Sequence, residues 1–223
     1  MAPARPPTPA GPPSKRQSTP ATRHRPRGTT RRRLEQGESL VVFLSYIMRA
    51  INLANRLIGN IFLWLSVGIV LVCFWVVVER YAFSTTRLWM QDLYPWLNGA
   101  MFTGVAGYAL YRNDHVRVDI LYRPASFRTK ALLDLFGTLV FLLPFAWVVW
   151  SYSQTFVMRA WRLQEASANP GGAQGLFILK TFILVFAVVI AVQGVSMLIR
   201  SILTLAGRED LVPEDYRYKI ETE

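Results

Sequence analysis

Cysteine and histidine are nearly missing from this sequence. Cys73 is the single cysteine among 223 residues and falls inside an apolar run, so neither a disulfide within the chain nor a thiolate metal site is open to it. A small packing role is expected there. His24 and His115 are the only histidines, and neither lies in an apolar run, which excludes a haem held between helices by two imidazoles. Zinc, metalloprotease and phosphate-loop patterns are missing as well, so no cofactor and no metal is expected. Met1–Glu38 has no apolar segment of the kind a secretory leader needs. The longest connection between apolar runs, 112–130, is too short for a soluble catalytic domain. No internal repeat of the sort that builds two-fold carriers is visible.

What is present is four long apolar runs, at about 58–79, 88–111, 131–158 and 175–203. Each exceeds the roughly 20 residues that carry a helix across a bilayer core. The expected fold is an all-α integral membrane protein with four transmembrane helices, both termini on one side, preceded by an amphipathic interfacial helix. The expected organisation is a disordered basic tail over 1–38, a four-helix membrane domain over 39–206, and a solvated C-terminal tail over 207–223.

Charge sets the orientation. The net charge is +11. Lys and Arg number eleven in Met1–Arg56, five in the second loop and four at the C-terminal end counted from Arg200, against two in the first loop and three in the third counted through Lys180. With four spans these groups total twenty on one side and five on the other, and the positive-inside rule places both termini in the cytoplasm. The Arg31-Arg32-Arg33 cluster then reads as an orientation signal near anionic lipid, not as a nucleic-acid site.

Leu40–Arg56 carries Ser45, Arg49, Asn52 and Arg56 at spacings of four, three and four, which puts them on one helical stripe. A helix in the membrane interface with its stripe toward water fits this pattern, as does a simple extension of the first span. Trp89, Tyr94 and Trp96 form an aromatic belt at the start of the second run, and Gly99, Thr103 and Gly107 form a small-residue stripe that admits a close helix. Lys130 and Asp134 stand one turn apart and are expected to pair. Pro144 is expected to kink the third run, Lys180 to snorkel outward, and Gln193 to tie helices together.

Asp92 lies one turn inside the second run, with Arg80 and Arg87 as its nearest candidate partners in sequence. Two readings stay open for it: contact with a partner subunit, or pairing within the bundle. His115 and Asp119 suggest the general base and orienting acid of membrane acyltransferases. Their spacing is one residue too short for that motif, and Arg117 and Arg123 make the loop read as a basic interfacial one. A stand-alone tetraspan assembly or sensor protein is a further alternative.

The segment Asp114-His115-Val116-Arg117-Val118-Asp119, followed by Arg128 and Leu133-Asp134-Leu135-Phe136-Gly137, closely resembles the hallmark of the small membrane subunit (DctQ type) of tripartite ATP-independent periplasmic (TRAP) transporters. Glu165-Ala166-Ser167, Asn169-Pro170-Gly171-Gly172, Lys180 and Gln193-Gly194 resemble its second characteristic stretch, and Asn55-Arg56 and Arg80-Tyr81 its first-helix flanks. The resemblance spans about Leu40–Leu203. It departs at Ala173-Gln174, where Leu-Pro is the pattern, and near Leu184, where a proline is.

The resemblance implies a bacterial inner-membrane importer of organic acids in three parts. A periplasmic solute receptor captures the substrate. A large permease subunit carries the substrate and sodium sites. The small subunit serves as scaffold for that permease, has no catalytic residue, and meets membrane lipid and no nucleic acid. Its faces on the second and third spans would pack on the large subunit. Arg80, Arg87, Arg159, Arg162 and Glu165, in the loops on the outer side, would help dock the receptor.

Overall fold

The computed structural model describes residues 27–113, 122 and 124–218, with backbone alone over 27–37. The chain divides into two units, Met1–Gly37 and Glu38–Glu223. The tail 1–26 and the motif residues Asp114, His115, Val116, Arg117, Val118 and Asp119 lie outside the described residues.

Among the described residues every regular element is helical. The elements are α1 (Arg27–Leu63), α2 (Leu65–Ala82), α3 (Leu88–Arg112), α4 (Phe127–Gly137), a π-turn (Thr138–Leu142), α5 (Leu143–Leu163) and α6 (Leu176–Leu205), followed by short 3-10 turns at Glu209–Leu211 and Glu214–Tyr216. Helix starts at Arg27, inside the tail expected to be disordered.

Three stretches are long and apolar enough to cross a membrane: Glu38–Ala82, Phe127–Leu163 and Leu176–Leu205. The second expected span is present as the 25-residue helix α3, but Gln91, Asp92, Asn98 and Thr103 dilute its apolar character and it does not join that set. A straight helix over Glu38–Ala82 would measure about 67 Å, more than twice the roughly 30 Å hydrocarbon core.

The interfacial helix and the first span are not separated where expected. α1 runs without a break through 39–57, and the interruption falls later, at Trp64. The Ser66 hydroxyl bonds the Leu63 carbonyl at 2.7 Å, and the Val67 amide turns to the Trp64 carbonyl at 3.1 Å. A serine hydroxyl that competes for the helix's own carbonyl bends it in this way.

In the third run the kink expected at Pro144 is a π-turn just before it. The Leu143 amide reaches back five residues to the Thr138 carbonyl. Proline has no N–H to give the preceding turn, and a widened turn absorbs that loss. The wide turn presses on α6 at Gly194, where a Cβ would stand 2.7 Å from the Leu142 side chain.

α3 lies against α2 and α6, and α6 also packs on α4 and α5. Glycines set the spacing. A Cβ at Gly104 would meet the Phe62 ring at 2.3 Å, and one at Gly59 would meet the Tyr108 side chain at 2.4 Å, so α1 and α3 approach nearly backbone to backbone. The small-residue stripe of α3 is spent in the same way: Gly99 faces Leu179 of α6, Gly107 faces Asn55 of α1 and Val189 of α6, and the Thr103 hydroxyl donates to the Phe182 carbonyl at 3.4 Å.

Candidate functional site

The helices share two ends. At one, the terminal end, α3 finishes, α4 starts and α6 finishes. At the other, the loop end, α2 finishes, α3 starts, α5 finishes and α6 starts.

The terminal end is tied by a buried ion pair. Arg200 of α6 has no exposed surface and donates from Nη2 to the Asp134 carboxylate of α4 at 2.6 Å. Asp134 was expected to pair with Lys130 on its own helix. Tertiary packing gives it Arg200 instead, and Lys130 lies over the Tyr122 ring at 5.3 Å. The Tyr122 and Tyr218 hydroxyls donate to Asp134 at 3.2 and 3.0 Å, and Arg200 Nη1 donates to Asn113 Oδ1 at 3.3 Å. The guanidinium lies over the Tyr216 and Tyr218 rings at 4.4 and 4.5 Å. Burial pushes the Tyr218 phenol well above its ordinary range, so it stays a neutral donor toward the carboxylate. Arg200 Nε has no hydrogen-bond partner among the described residues.

A second polar cluster lies one to two turns deeper on α6. Asn55 Nδ2 donates to Gln193 Oε1 at 2.7 Å, and Ser196 Oγ donates to Asn52 Oδ1 at 2.6 Å. Gln193 Nε2 donates to Asn52 Oδ1 at 3.3 Å and to the Tyr216 hydroxyl at 3.2 Å. Ser45 and Asn52 of the polar stripe are therefore buried against the protein, not turned to water, while Arg49 and Arg56 remain exposed.

The tail expected to be solvated is packed. Val212 and Tyr216 are each 1% exposed and sit with Met48 of α1, Tyr111 of α3, and Ile199 and Leu203 of α6. Tyr216 stacks on Tyr111 at 5.2 Å, and the Tyr111 hydroxyl donates to Asp215.

At the loop end the contacts are also internal. Asp92 takes neither Arg80 nor Arg87. It accepts from Asn169 Nδ2 at 3.1 Å and from the Ala173 amide at 2.8 Å, and so holds the loop between α5 and α6 onto the start of α3. Within that loop the Ser167 hydroxyl accepts from the Asn169 amide at 3.3 Å, and the Ser167 amide donates to the Ala173 carbonyl at 3.0 Å. Gly172 leaves room for these contacts, since a Cβ there would fall 2.4 Å from Asp92 Oδ2, and Gly171 turns the chain at a φ of +79°. Lys180, expected to snorkel, pairs with Glu165 and lies over the Phe156 ring at 4.2 Å. Arg87 pairs with the buried Glu79 at 3.4 Å, and Trp75 Nε1 donates to the same carboxylate at 3.2 Å. Arg80, Arg159 and Arg162 are exposed.

Between α3 and α5 the surface opens into an apolar cleft of about 470 Å³. Phe102 and Ala106 of α3 and Ile190 of α6 lie in it, with Leu63 of α1 and Phe145 of α5 at its sides. Among the described residues no three His, Cys, Asp or Glu side chains cluster to hold a metal ion.

Arg200, Asn113, Tyr122, Tyr216 and Tyr218 are the positions of this cluster that the sequence reading passed over. A signal was available for Arg200: Gln193, Ser196, Arg200, Ser201 and Thr204 form a polar stripe at helical spacing inside an apolar run. A family model described as tripartite ATP-independent periplasmic transporters, DctQ component, matches residues 69–206. Comparison with curated proteins and with solved structures gave no match.

Proposed function

The chain belongs to the DctQ family of tripartite ATP-independent periplasmic transporter components, and from that premise we propose that it is the stationary scaffold on which a large permease subunit is mounted. It is a component of a transporter and not an enzyme, so the acyl-transfer reading of His115 and Asp119 falls away. It is a multi-pass membrane protein of the inner-membrane type.

The reading has four spans, at about 58–79, 88–111, 131–158 and 175–203, with both termini in the cytoplasm. The polar helix α3 is the fourth crossing. Its packing between α1, α2 and α6 supports this, because the close glycine contacts and the Thr103 bond keep much of its surface away from lipid. The complete system imports organic acids with a sodium gradient. Its receptor is periplasmic, and the substrate and ion sites belong to the large subunit.

One observation carries the scaffold role. Several polar groups buried in the helices tie one helix to another, as in Arg200–Asp134, Gln193–Asn55 and Ser196–Asn52, while the outer faces stay apolar. Such a body is a brace, and the cleft between α3 and α5 suits a helix of the large subunit. The motif residues His115, Arg117 and Asp119 fall between Asn113 and Tyr122, both bonded to the Arg200–Asp134 pair, which favours a structural role for the motif. Asp134, Glu165, Ser167, Gly171, Gly172 and Lys180 serve the same internal ties.

Co-purification tests the proposal. Tagged chain expressed with its large permease should elute as a stoichiometric complex, and deleting the chain should abolish permease accumulation or uptake. A chain that purifies only with itself supports the stand-alone reading instead. Single cysteines, Ala168→Cys or Asp210→Cys on a Cys73→Ala background, test orientation. Labelling from outside should reach the first, and the second only after permeabilisation.

A further inference from the structure

Donors from three separate segments converge on one atom at the terminal end. Tyr122, just ahead of α4, Arg200 of α6 and Tyr218 of the C-terminal segment all bond Asp134. All three bonds end on the same carboxylate oxygen, Oδ2, at 3.2, 2.6 and 3.0 Å respectively. One carboxylate oxygen offers about two lone pairs, so three donors exceed what it can take in good geometry. The distances show which donors yield. The charged guanidinium keeps the short bond. Both hydroxyls stand off beyond the roughly 2.5–2.7 Å usual for a hydroxyl on a carboxylate.

The two hydroxyls reach this oxygen from rings that are held independently. Lys130 lies over the Tyr122 ring at 5.3 Å, and the Arg200 guanidinium lies over the Tyr218 ring at 4.5 Å. Tyr218 has a second partner as well, since its hydroxyl stands 3.1 Å from Ser201 Oγ. It can turn its proton to Ser201 and leave Asp134 while its ring stays in place. The segments behind the rings are distinct. Tyr218 ends the stretch that leaves α6 at Gly207, where φ is +70°. Tyr122 opens a turn in which the Ala125 amide bonds the Tyr122 carbonyl at 3.2 Å, and in sequence it follows closely on the family motif.

We infer that Asp134 Oδ2 is a contested acceptor that couples the C-terminal segment to the segment ahead of α4: when either tyrosine withdraws, the other tightens. In one state Tyr218 bonds Asp134 and Tyr122 is held long. In the other Tyr218 turns to Ser201 and Tyr122 is drawn in. Asp134 is buried and Arg200 wholly so, and a bond gained or lost in such a setting is not diluted by water. By linkage the effect runs equally in both directions. A partner that lifts the C-terminal segment is thereby felt at Tyr122 without touching it. The inference needs neither the topology nor the assembly proposed above.

Amide hydrogen exchange in the full chain, held in nanodiscs, tests it. The Ala125 amide reports the segment ahead of α4, and the Tyr216 amide, bonded to the Pro213 carbonyl at 2.9 Å, reports the C-terminal one. Tyr218→Phe should slow exchange at Ala125 about threefold, a fraction of one net hydrogen bond. Tyr122→Phe should slow it at Tyr216 by a similar factor. Ser201→Ala removes the alternative partner of Tyr218 and should speed exchange at Ala125. Tyr216→Phe, whose hydroxyl goes to Gln193, should leave Ala125 unchanged. The double change Tyr122→Phe with Tyr218→Phe should lower the unfolding midpoint by more than the two single shifts together, because each single loss is offset by the remaining hydroxyl. Two results overturn the inference. An Ala125 rate indifferent to both Tyr218→Phe and Ser201→Ala marks independent bonds. Faster exchange at Ala125 in Tyr218→Phe marks a cluster that stands or falls together. If Tyr218→Phe does not fold, Ser201→Ala at Ala125 and Tyr122→Phe at Tyr216 decide by the same signs.

Discussion

Arg200 on α6 and Asp134 on α4 meet at 2.6 Å across 66 residues of sequence, with the arginine wholly enclosed. Removing one partner strands a charge, and buried pairs broken in this way lose about 3–5 kcal/mol. Asp134→Ala should therefore lower the unfolding midpoint of the detergent-solubilised chain by many degrees. The double change Asp134→Leu with Arg200→Met should restore much of the loss, since it leaves no charge behind. Thermal unfolding followed by size-exclusion chromatography reads both.

Glycine contacts predict a contrast. Gly104→Ala puts a methyl group into the Phe62 ring, whereas Gly68→Ala and Gly137→Ala point into open space. The first should destabilise the α1–α3 contact. The other two should be neutral or gain up to about 1 kcal/mol of helix propensity. The same thermal assay separates them.

Truncation after Gly207 removes Tyr216 and Tyr218 from the Arg200 guanidinium and uncovers Met48 and Tyr111. The truncated chain should be markedly less stable than the intact one. Tyr216→Phe should be milder, because it keeps the ring and loses only the bond to Gln193. Amide hydrogen exchange over 45–56 should rise in the truncated chain and barely change in Tyr216→Phe.

Asp92→Ala should free the loop between α5 and α6. Limited proteolysis from the outer side should cut near Asn169–Gly171 faster than in the parent. Asp92→Asn keeps one acceptor oxygen for the Ala173 amide and should fall between the two.

Much of the architecture could be read directly. The apolar runs locate the helices because length and hydropathy are local quantities. Gln193 and the Gly99–Gly107 stripe were legible for the same reason, since a polar or small residue in an apolar helix signals a close neighbour. Partner choice was less accessible. Lys130 is the nearest base to Asp134 along its helix, but α6 delivers Arg200 to the same carboxylate in a drier setting. Asp92 likewise turned to a loop 77 residues away, not to the adjacent arginines. The π-turn was hidden because it depends on what α6 presents at Gly194, and Pro144 alone announces only a disturbance. The tail misled because its mixed charge looks water-loving, while two tyrosines and Val212 carry its packing.

The enclosure of Tyr216 has a temporal side. Met48 in α1 leaves the ribosome early, yet its covering residue is made only after α6 has been translated. Until then the guanidinium of Arg200 and the side-chain amide of Gln193 lack their lid. Biogenesis thus has a built-in completion mark: a nascent chain with all its helices inserted is still unsealed at one end.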